Sequence, residues 1–213
     1  MQGVSAVGFA AQEEELLGGG AGPGGGKKKR QDYLDTLEEC SPQALIFTDE
    51  SGAKLDMCPD YGRGEGGQRV HGTKPHDRGK NISIIGAIGL VGVVGAMYGE
   101  WATDSMAFLT FVETMLVPHL RRGHIVIMDN VNFHKYPQIK EAIERAGARL
   151  LFLPPYSPDL SPIESMWSKL KHYLKNKAAR TMADFHQALL EAFETLTDYD
   201  FEAWFDECGY VGS

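Results

Sequence analysis

Three acidic residues stand at positions where strands and a helix could bring their side chains together. Asp49 follows the apolar run 44–48, and Asp129 follows the apolar run 125–128. Both runs predict buried strands that end at these acids, and open α/β sheets place their sites at such strand ends. Glu164 follows a proline-rich loop and lies in the first turn of a predicted helix. Carboxylates from separate elements are the ligands that a two-metal phosphodiester site requires, so the sequence predicts metal-dependent phosphodiester cleavage or transfer.

The residues around these acids form three motifs, and 164 − 129 − 1 = 34 residues separate the second acid from the third. The motifs are residues 47–52 (FTDESG), residues 127–130 (IMDN) with His134, and residues 153–164 (LPPYSPDLSPIE) with Trp167 and residues 170–171. In this order and spacing they resemble the DDE transposases of the mariner superfamily, in its bacterial insertion-sequence branch. The match extends from about Lys27 to the C-terminus.

The resemblance implies an RNase H-like α/β fold, with a mixed central β-sheet and helices on both faces. Asp49, Asp129 and Glu164 would be the catalytic residues and the ligands of two Mg²⁺ ions, with Mn²⁺ as a substitute. The implied reaction is cleavage at the ends of a mobile element, followed by attack of the freed 3′-hydroxyl on target DNA. Double-stranded DNA is the implied partner, bound by a homodimer in the bacterial cytoplasm, at the nucleoid.

The third acid has two alternatives in the sequence itself. Ser161, Pro162 and Glu164 match a capping box, in which Glu164 would only accept a hydrogen bond from the Ser161 backbone N–H. Asp159 lies in the same loop and is a rival third acid, although Ser-Pro-Asp is also an ordinary turn sequence. The family resemblance favours Glu164 as the metal ligand.

Structural alternatives also exist for Glu50, the neighbour of Asp49, and for Asp129 itself. Strand alternation turns Glu50 away from the face that carries Asp49, which favours a structural role for Glu50. Asp129 could cap a strand-end turn with Asn130, an interpretation that the motif disfavours.

For four further residues near the predicted site, the sequence allows either DNA contact or a purely structural role. We expect Asn130 and His134 at its rim, where His134 either contacts a phosphate or caps the next helix. Lys171, seven residues after Glu164 and so on the same helical face, contacts DNA or is a solvated lysine. Trp167 lies on the apolar stripe of its helix, which favours a core position over base stacking.

The apolar segment 82–97 predicts two antiparallel strands joined at 89–92, in the centre of the sheet and buried on both faces. A membrane helix is the alternative, but 16 residues at about 1.5 Å each span only about 24 Å, less than a hydrocarbon core of about 30 Å. The other elements predicted are a short strand and loop in 54–80, helices over 105–119, 139–146, 163–174 and 182–196, and a strand over 149–153, with the helix at 182–196 ending the domain.

Composition divides the chain into three parts. Residues 1–26 predict a flexible glycine-rich leader, residues 27–43 a connecting helix that opens with a solvated charge run, and residues 44–213 the catalytic domain. Only 48 residues precede Asp49, and no helix-turn-helix pair fits among them. We therefore expect a truncated copy that depends on a full-length copy or on a separate DNA-binding half.

Overall charge and cysteine content restrict the function further. The net charge of −8 disfavours strong DNA binding by the surface as a whole, although a local patch can still bind DNA. Three scattered cysteines without a CxxC pair indicate a reducing cytosol rather than a zinc site. Two other functions stay open, another RNase H-like nuclease and a non-catalytic binding or assembly module.

Overall fold

The computed structural model describes residues 25–59 and 79–211. Five strands form one mixed sheet in the order β3-β2-β1-β4-β5. Antiparallel pairs join β1 to β2 and β2 to β3, whereas β4 runs parallel to both β1 and β5. The strands are β1 (Leu45–Lys54), β2 (Asn81–Gly89), β3 (Gly92–Gly99), β4 (Ile125–Met128) and β5 (Arg149–Phe152). The helices are α1 (Gly25–Leu37), α2 (Ser105–Phe111), α3 (Pro137–Arg145), α4 (Pro162–Lys177), α5 (Met182–Glu194) and α6 (Asp198–Glu207).

Helices cover both faces of the sheet, as the sequence predicts for an α/β fold. Successive strand residues point to opposite faces, so Phe47 belongs to one buried cluster and Ile46 to the other. The cluster of Phe47 contains buried residues of α1, α4, α5 and α6, and the cluster of Ile46 contains those of α2 and α3. The predicted mixed sheet between two helical layers is therefore confirmed.

Two predictions about the strands need correction. β1 does not end at Asp49 but continues to Lys54, because its second half pairs with β2 from Glu50↔Ile85 to Lys54↔Asn81. The hairpin of β2 and β3 exists, with its turn where the sequence predicts it, but only β2 lies inside the sheet and is almost wholly buried. β3 is the edge strand and only half-buried; six of its eight residues are glycine, alanine or valine, so it presents few large side chains to the helical layers.

The helices agree with the predicted ones except for the end of the connecting helix and for one additional helix, α6. Asp104 caps α2 through its side chain, and the helical path continues after Phe111 as a π turn and a short 3-10 turn to His119. The connecting helix ends at Leu37 rather than residue 43. α6 was not predicted and follows α5 after a break at Thr197, whose side chain closes a capping box with Asp200.

Several sequence predictions fall outside the described residues. Residues 1–24 of the predicted leader and residues 60–78 of the predicted loop are not described, whereas residues 25–26 form the start of α1. Among the helices of the described ranges, none has the length and apolar character needed to cross a bilayer.

Candidate metal centre

The strand register brings the first two acids to the same place. β1 and β4 are parallel neighbours in which Phe47 is the partner of Ile127. Asp49 and Asp129 each follow one of these partners by two residues, so both continue along the face on which Phe47 and Ile127 are buried. β4 ends at Met128, and Asp129 is the first residue beyond it. The strand-end position predicted for Asp129 is therefore confirmed.

Glu164 comes to these acids from the helical layer. It lies in the first turn of α4, and α4 packs against β1. Asp49, Asp129 and Glu164 all line one cavity of about 490 Å³. The predicted arrangement, with two acids on neighbouring strands and a third on a facing helix, is present.

The charges around this cavity suit a cation. Its other lining residues are neutral: Thr48, Asn130, Val131, Leu153, Pro154, Pro155, Tyr156, Ser157, Pro158 and Ser161. Three carboxylates thus line it without a lysine or arginine from the described ranges. No three acid, histidine or cysteine side chains of these ranges lie at ligand spacing from one another. The donor set of hard oxygens, with no lysine or arginine among the residues that line the cavity, fits Mg²⁺ or Mn²⁺.

The environment of Asp49 strongly raises the pKa of its carboxyl group. Burial raises its pKa to about 7, with further contributions from the charges of Glu50 and Glu164. One oxygen of Asp49, Oδ2, accepts a hydrogen bond of 3.0 Å from Nε1 of Trp167. A carboxylate held in a partly buried, negatively charged place gains from a bound cation, because the cation stabilises its charged form.

Asp129 has a buried histidine behind it. Nδ1 of His134 lies 2.5 Å from Oδ1 of Asp129, and Nε2 of the same ring lies 3.2 Å from Oε2 of Glu50. Nδ1 of His134 also lies 3.2 Å from the backbone carbonyl oxygen of Asp129, and the two contacts with carboxylates are ion pairs. Burial alone would lower the pKa of His134, but the two carboxylates outweigh burial and raise the pKa to about 9. His134 is therefore a cation between two acids at neutral pH.

The structure corrects the predicted role of His134. Its side chain is completely buried, with the ring of Phe108 at 4.1 Å and that of Phe133 at 4.5 Å between centroids. A side chain without solvent contact does not reach a DNA phosphate at the rim. Sequence reasoning missed the partnership with Glu50, because nothing in the spacing indicates that the two residues meet.

The capping-box alternative for Glu164 is not what the structure shows. Ser161 makes no side-chain cap, and its backbone N–H donates to the carbonyl of Pro158 at 3.0 Å instead of to Glu164. The Glu164 side chain is exposed at the cavity. Its carboxylate is thus not occupied by the cap that the sequence allows.

Asp159, the rival third acid, has a different partner. Its two oxygens accept hydrogen bonds of 3.0 and 2.6 Å from the guanidinium of Arg30 in α1. This interaction lowers the pKa of Asp159. Asp159 is not among the residues that line the cavity, so the geometry favours Glu164 as the third acid.

The other residues predicted for the site differ in position. Asn130 lines the cavity beside Asp129. Tyr156, which sequence reasoning did not single out, also lines the cavity, and its side chain is fully exposed on a backbone with φ of 57°. Lys171 lies two turns along α4 from Glu164, half-buried and away from the cavity lining. Trp167 is buried in the core as predicted.

Comparison with known proteins agrees with this geometry. Residues 44–186 match the family described as DDE superfamily endonuclease. The chain is 24% identical over 163 residues to the Tc3 transposase of Caenorhabditis elegans, a match covering 72% of this chain and 50% of that protein. It is 29% identical over 75 residues to an uncharacterized protein, y4pE/y4sA, of Sinorhizobium fredii, covering 35% of this chain and 53% of that protein. The chain thus spans about half the length of these curated relatives.

Solved structures with the same fold include those of the Mos1 transposase. A Mos1 paired-end complex with the left transposon end superimposes with a TM-score of 0.73 at 15% identity, covering 95% of this chain and 64% of that one. The Mos1 catalytic domain, solved with raltegravir and Mn, gives 0.67 at 14% identity and covers 86% of both chains. These similarities confirm the predicted RNase H-like fold.

Proposed function

Because the chain belongs to the DDE superfamily endonucleases, we propose that it is the catalytic domain of a DNA transposase. In this proposal it cleaves a mobile element at its ends and joins the freed 3′-hydroxyl to target DNA. The observation that carries the proposal is the cavity that Asp49, Asp129 and Glu164 line together, from β1, the end of β4 and α4, with no lysine or arginine among its lining residues. Transposase relatives at 24% identity and the shared Mos1 fold support it.

Asp49, Asp129 and Glu164 would hold two Mg²⁺ ions, or Mn²⁺ in their place. When bound, such ions activate the attacking oxygen and stabilise the leaving oxygen of an in-line displacement. The chain's own contribution is to fix its carboxylates from separate rigid elements before DNA arrives. Neighbouring strands fix the spacing of Asp49 and Asp129, and the first turn of α4 brings Glu164 from the opposite side.

Double-stranded DNA, as element ends and as target, is the proposed substrate. Tyr156 is a fully exposed aromatic side chain at the cavity. Aromatic rings stack on unpaired nucleobases without sequence preference, so we assign Tyr156 to contact with a base left unpaired at a cleaved DNA end. Asn130 at the cavity wall and Lys171 farther along α4 are further proposed contacts to the sugar-phosphate backbone.

The finer assignments rest on the resemblance of the three motifs. They are the bacterial insertion-sequence branch and a homodimer on DNA in the bacterial cytoplasm. Phosphate contacts and shape, rather than base recognition, would then dominate DNA binding by the described residues.

A strand-transfer assay tests the proposed function. Pre-cleaved duplex oligonucleotides with a free 3′-hydroxyl are incubated with supercoiled plasmid, with and without Mn²⁺. We expect Mn²⁺-dependent joined products with the wild-type chain and none with Asp129→Asn. Cleavage without joining would favour another RNase H-like nuclease. Mn²⁺-dependent activity that persists in Asp129→Asn would contradict the assigned site.

A further inference from the structure

We propose that Trp167 is a positioning residue for Asp49, and that Gly86 provides the space that this role requires. The inference rests on the proposed function, because it concerns how the first metal-binding carboxylate is oriented. It gives a functional role to a tryptophan for which the sequence predicts only a core position.

The hydrogen bond between Trp167 and Asp49 is the first observation. The indole ring is 2% exposed, and its N–H donates to Oδ2 of Asp49 at 3.0 Å. An indole has one donor and no acceptor, so its whole hydrogen-bonding capacity is directed at this carboxylate. A ring fixed by core packing holds Oδ2 in one place, which leaves Oδ1 free of this hydrogen bond to meet an ion.

The space for the indole ring depends on the neighbouring strand. Gly86 of β2 is the register partner of Asp49. A Cβ atom at Gly86 would lie 2.8 Å from Cη2 and 3.2 Å from Cζ2 of Trp167. The Thr48 hydroxyl donates to the carbonyl of Gly86 at 2.9 Å, which fixes β2 against β1 at this point. Any side chain at position 86 would therefore displace the ring from Asp49.

α4 thus acts on two of the acids at once. Glu164 and Trp167 are three residues apart, so they lie on the same side of the helix. Glu164 lines the cavity, and the Trp167 indole N–H donates its hydrogen bond to Asp49 of β1. The same helix supplies the third carboxylate and orients the first, so a change in the packing of α4 alters both together.

Indole ¹⁵N–¹H NMR of the full chain tests the hydrogen bond directly. The chain has three tryptophans, Trp101, Trp167 and Trp204, so three resonances are expected. In metal-free protein, we expect Asp49→Asn to shift the Trp167 resonance and to leave the other two in place. Addition of Mg²⁺ should shift the same resonance in the wild-type protein. A Trp167 resonance that responds to neither change would overturn the inference.

Mn²⁺ affinity, measured by calorimetric titration, separates positioning from core packing. Trp167→Phe keeps an aromatic core residue but removes the donor, and we expect about tenfold weaker Mn²⁺ binding, since outer-shell partners typically contribute 10- to 100-fold. Phe185→Leu, in the same buried cluster, is the control for lost packing and should bind Mn²⁺ like the wild type. Equal Kd values for Trp167→Phe and the wild type would contradict the role.

Gly86→Ala provides a second variant, which keeps the indole donor but pushes it away. We expect weaker Mn²⁺ binding for Gly86→Ala and a wild-type Kd for Gly89→Ala, because a Cβ at Gly89 meets neighbours only at 3.6 Å and beyond. A wild-type Kd for Gly86→Ala would overturn the role of Gly86. Absence of Mn²⁺ binding by the wild-type protein would instead contradict the proposed function itself.

Discussion

Replacing Asp49 by Asn should stabilise the metal-free protein at pH 8. The pKa of Asp49 rises from 3.8 to about 7 on folding, first through burial and then through the charges of Glu50 and Glu164. At about 1.36 kcal/mol per pH unit this corresponds to an upper limit of roughly 4 kcal/mol. Asp49 keeps partial solvent contact, which screens its charge, so we expect a gain of about 1–3 kcal/mol. Asn keeps an oxygen for the Trp167 N–H.

The gain in stability of Asp49→Asn depends on pH, because it comes from the raised pKa of Asp49. A carboxyl group whose pKa is raised by folding binds more protons in the native state, so its contribution to stability is lost as pH rises from about 4 to about 7. The difference between Asp49→Asn and the wild type should therefore be near zero at pH 4 and full at pH 8. Urea denaturation with EDTA at both pH values measures it. A variant that is equally or less stable than the wild type at pH 8 would refute the reasoning.

Three further changes have distinct expected results. Glu164→Gln should abolish Mn²⁺-dependent cleavage yet change the free energy of unfolding by less than about 1 kcal/mol, because no cap depends on it; Asp159→Asn should retain cleavage, and the opposite pattern would make Asp159 the third acid. His134→Ala should destabilise the protein by about 3–5 kcal/mol, because it leaves two carboxylates facing each other; a loss below 1 kcal/mol in urea denaturation would contradict the ion pairs. Tyr156→Ala should weaken DNA binding by about 1–3 kcal/mol in fluorescence anisotropy at unchanged melting temperature, and an unchanged Kd would remove Tyr156 from the DNA-contact surface.

The parts of the fold that were predictable from sequence are those set by local patterns. Apolar runs of four or five residues predicted β1 and β4, and apolar residues at helical spacing predicted α4 and α5, because buried elements need continuous or periodic apolar surface. Asp129 follows its strand directly, so its position was predictable. α6 was missed because five of its ten residues are acidic, although Phe201, Trp204 and Phe205 recur at helical spacing.

The parts that were not predictable depend on contacts between distant segments. The extension of β1 past Asp49 needs β2 as its partner, and no local pattern in 49–54 indicates that pairing. The sequence allows a capping box of Ser161 and Glu164 as an alternative, but the Ser161 backbone N–H instead closes a turn with the carbonyl of Pro158. The pairing of His134 with Glu50, across 84 positions of sequence (134 − 50 = 84), follows only from the neighbouring strands that carry the segments.

The central claim, that Asp49, Asp129 and Glu164 bind the catalytic metal ions, is tested most directly by a crystal structure of the chain grown with Mn²⁺. An anomalous difference map reports manganese positions independently of any assumed ligand. We predict two peaks about 3.5–4 Å apart, with oxygens of all three residues at ligand distance from one or both. Peaks elsewhere, or a site in which Asp159 replaces Glu164, would contradict the account.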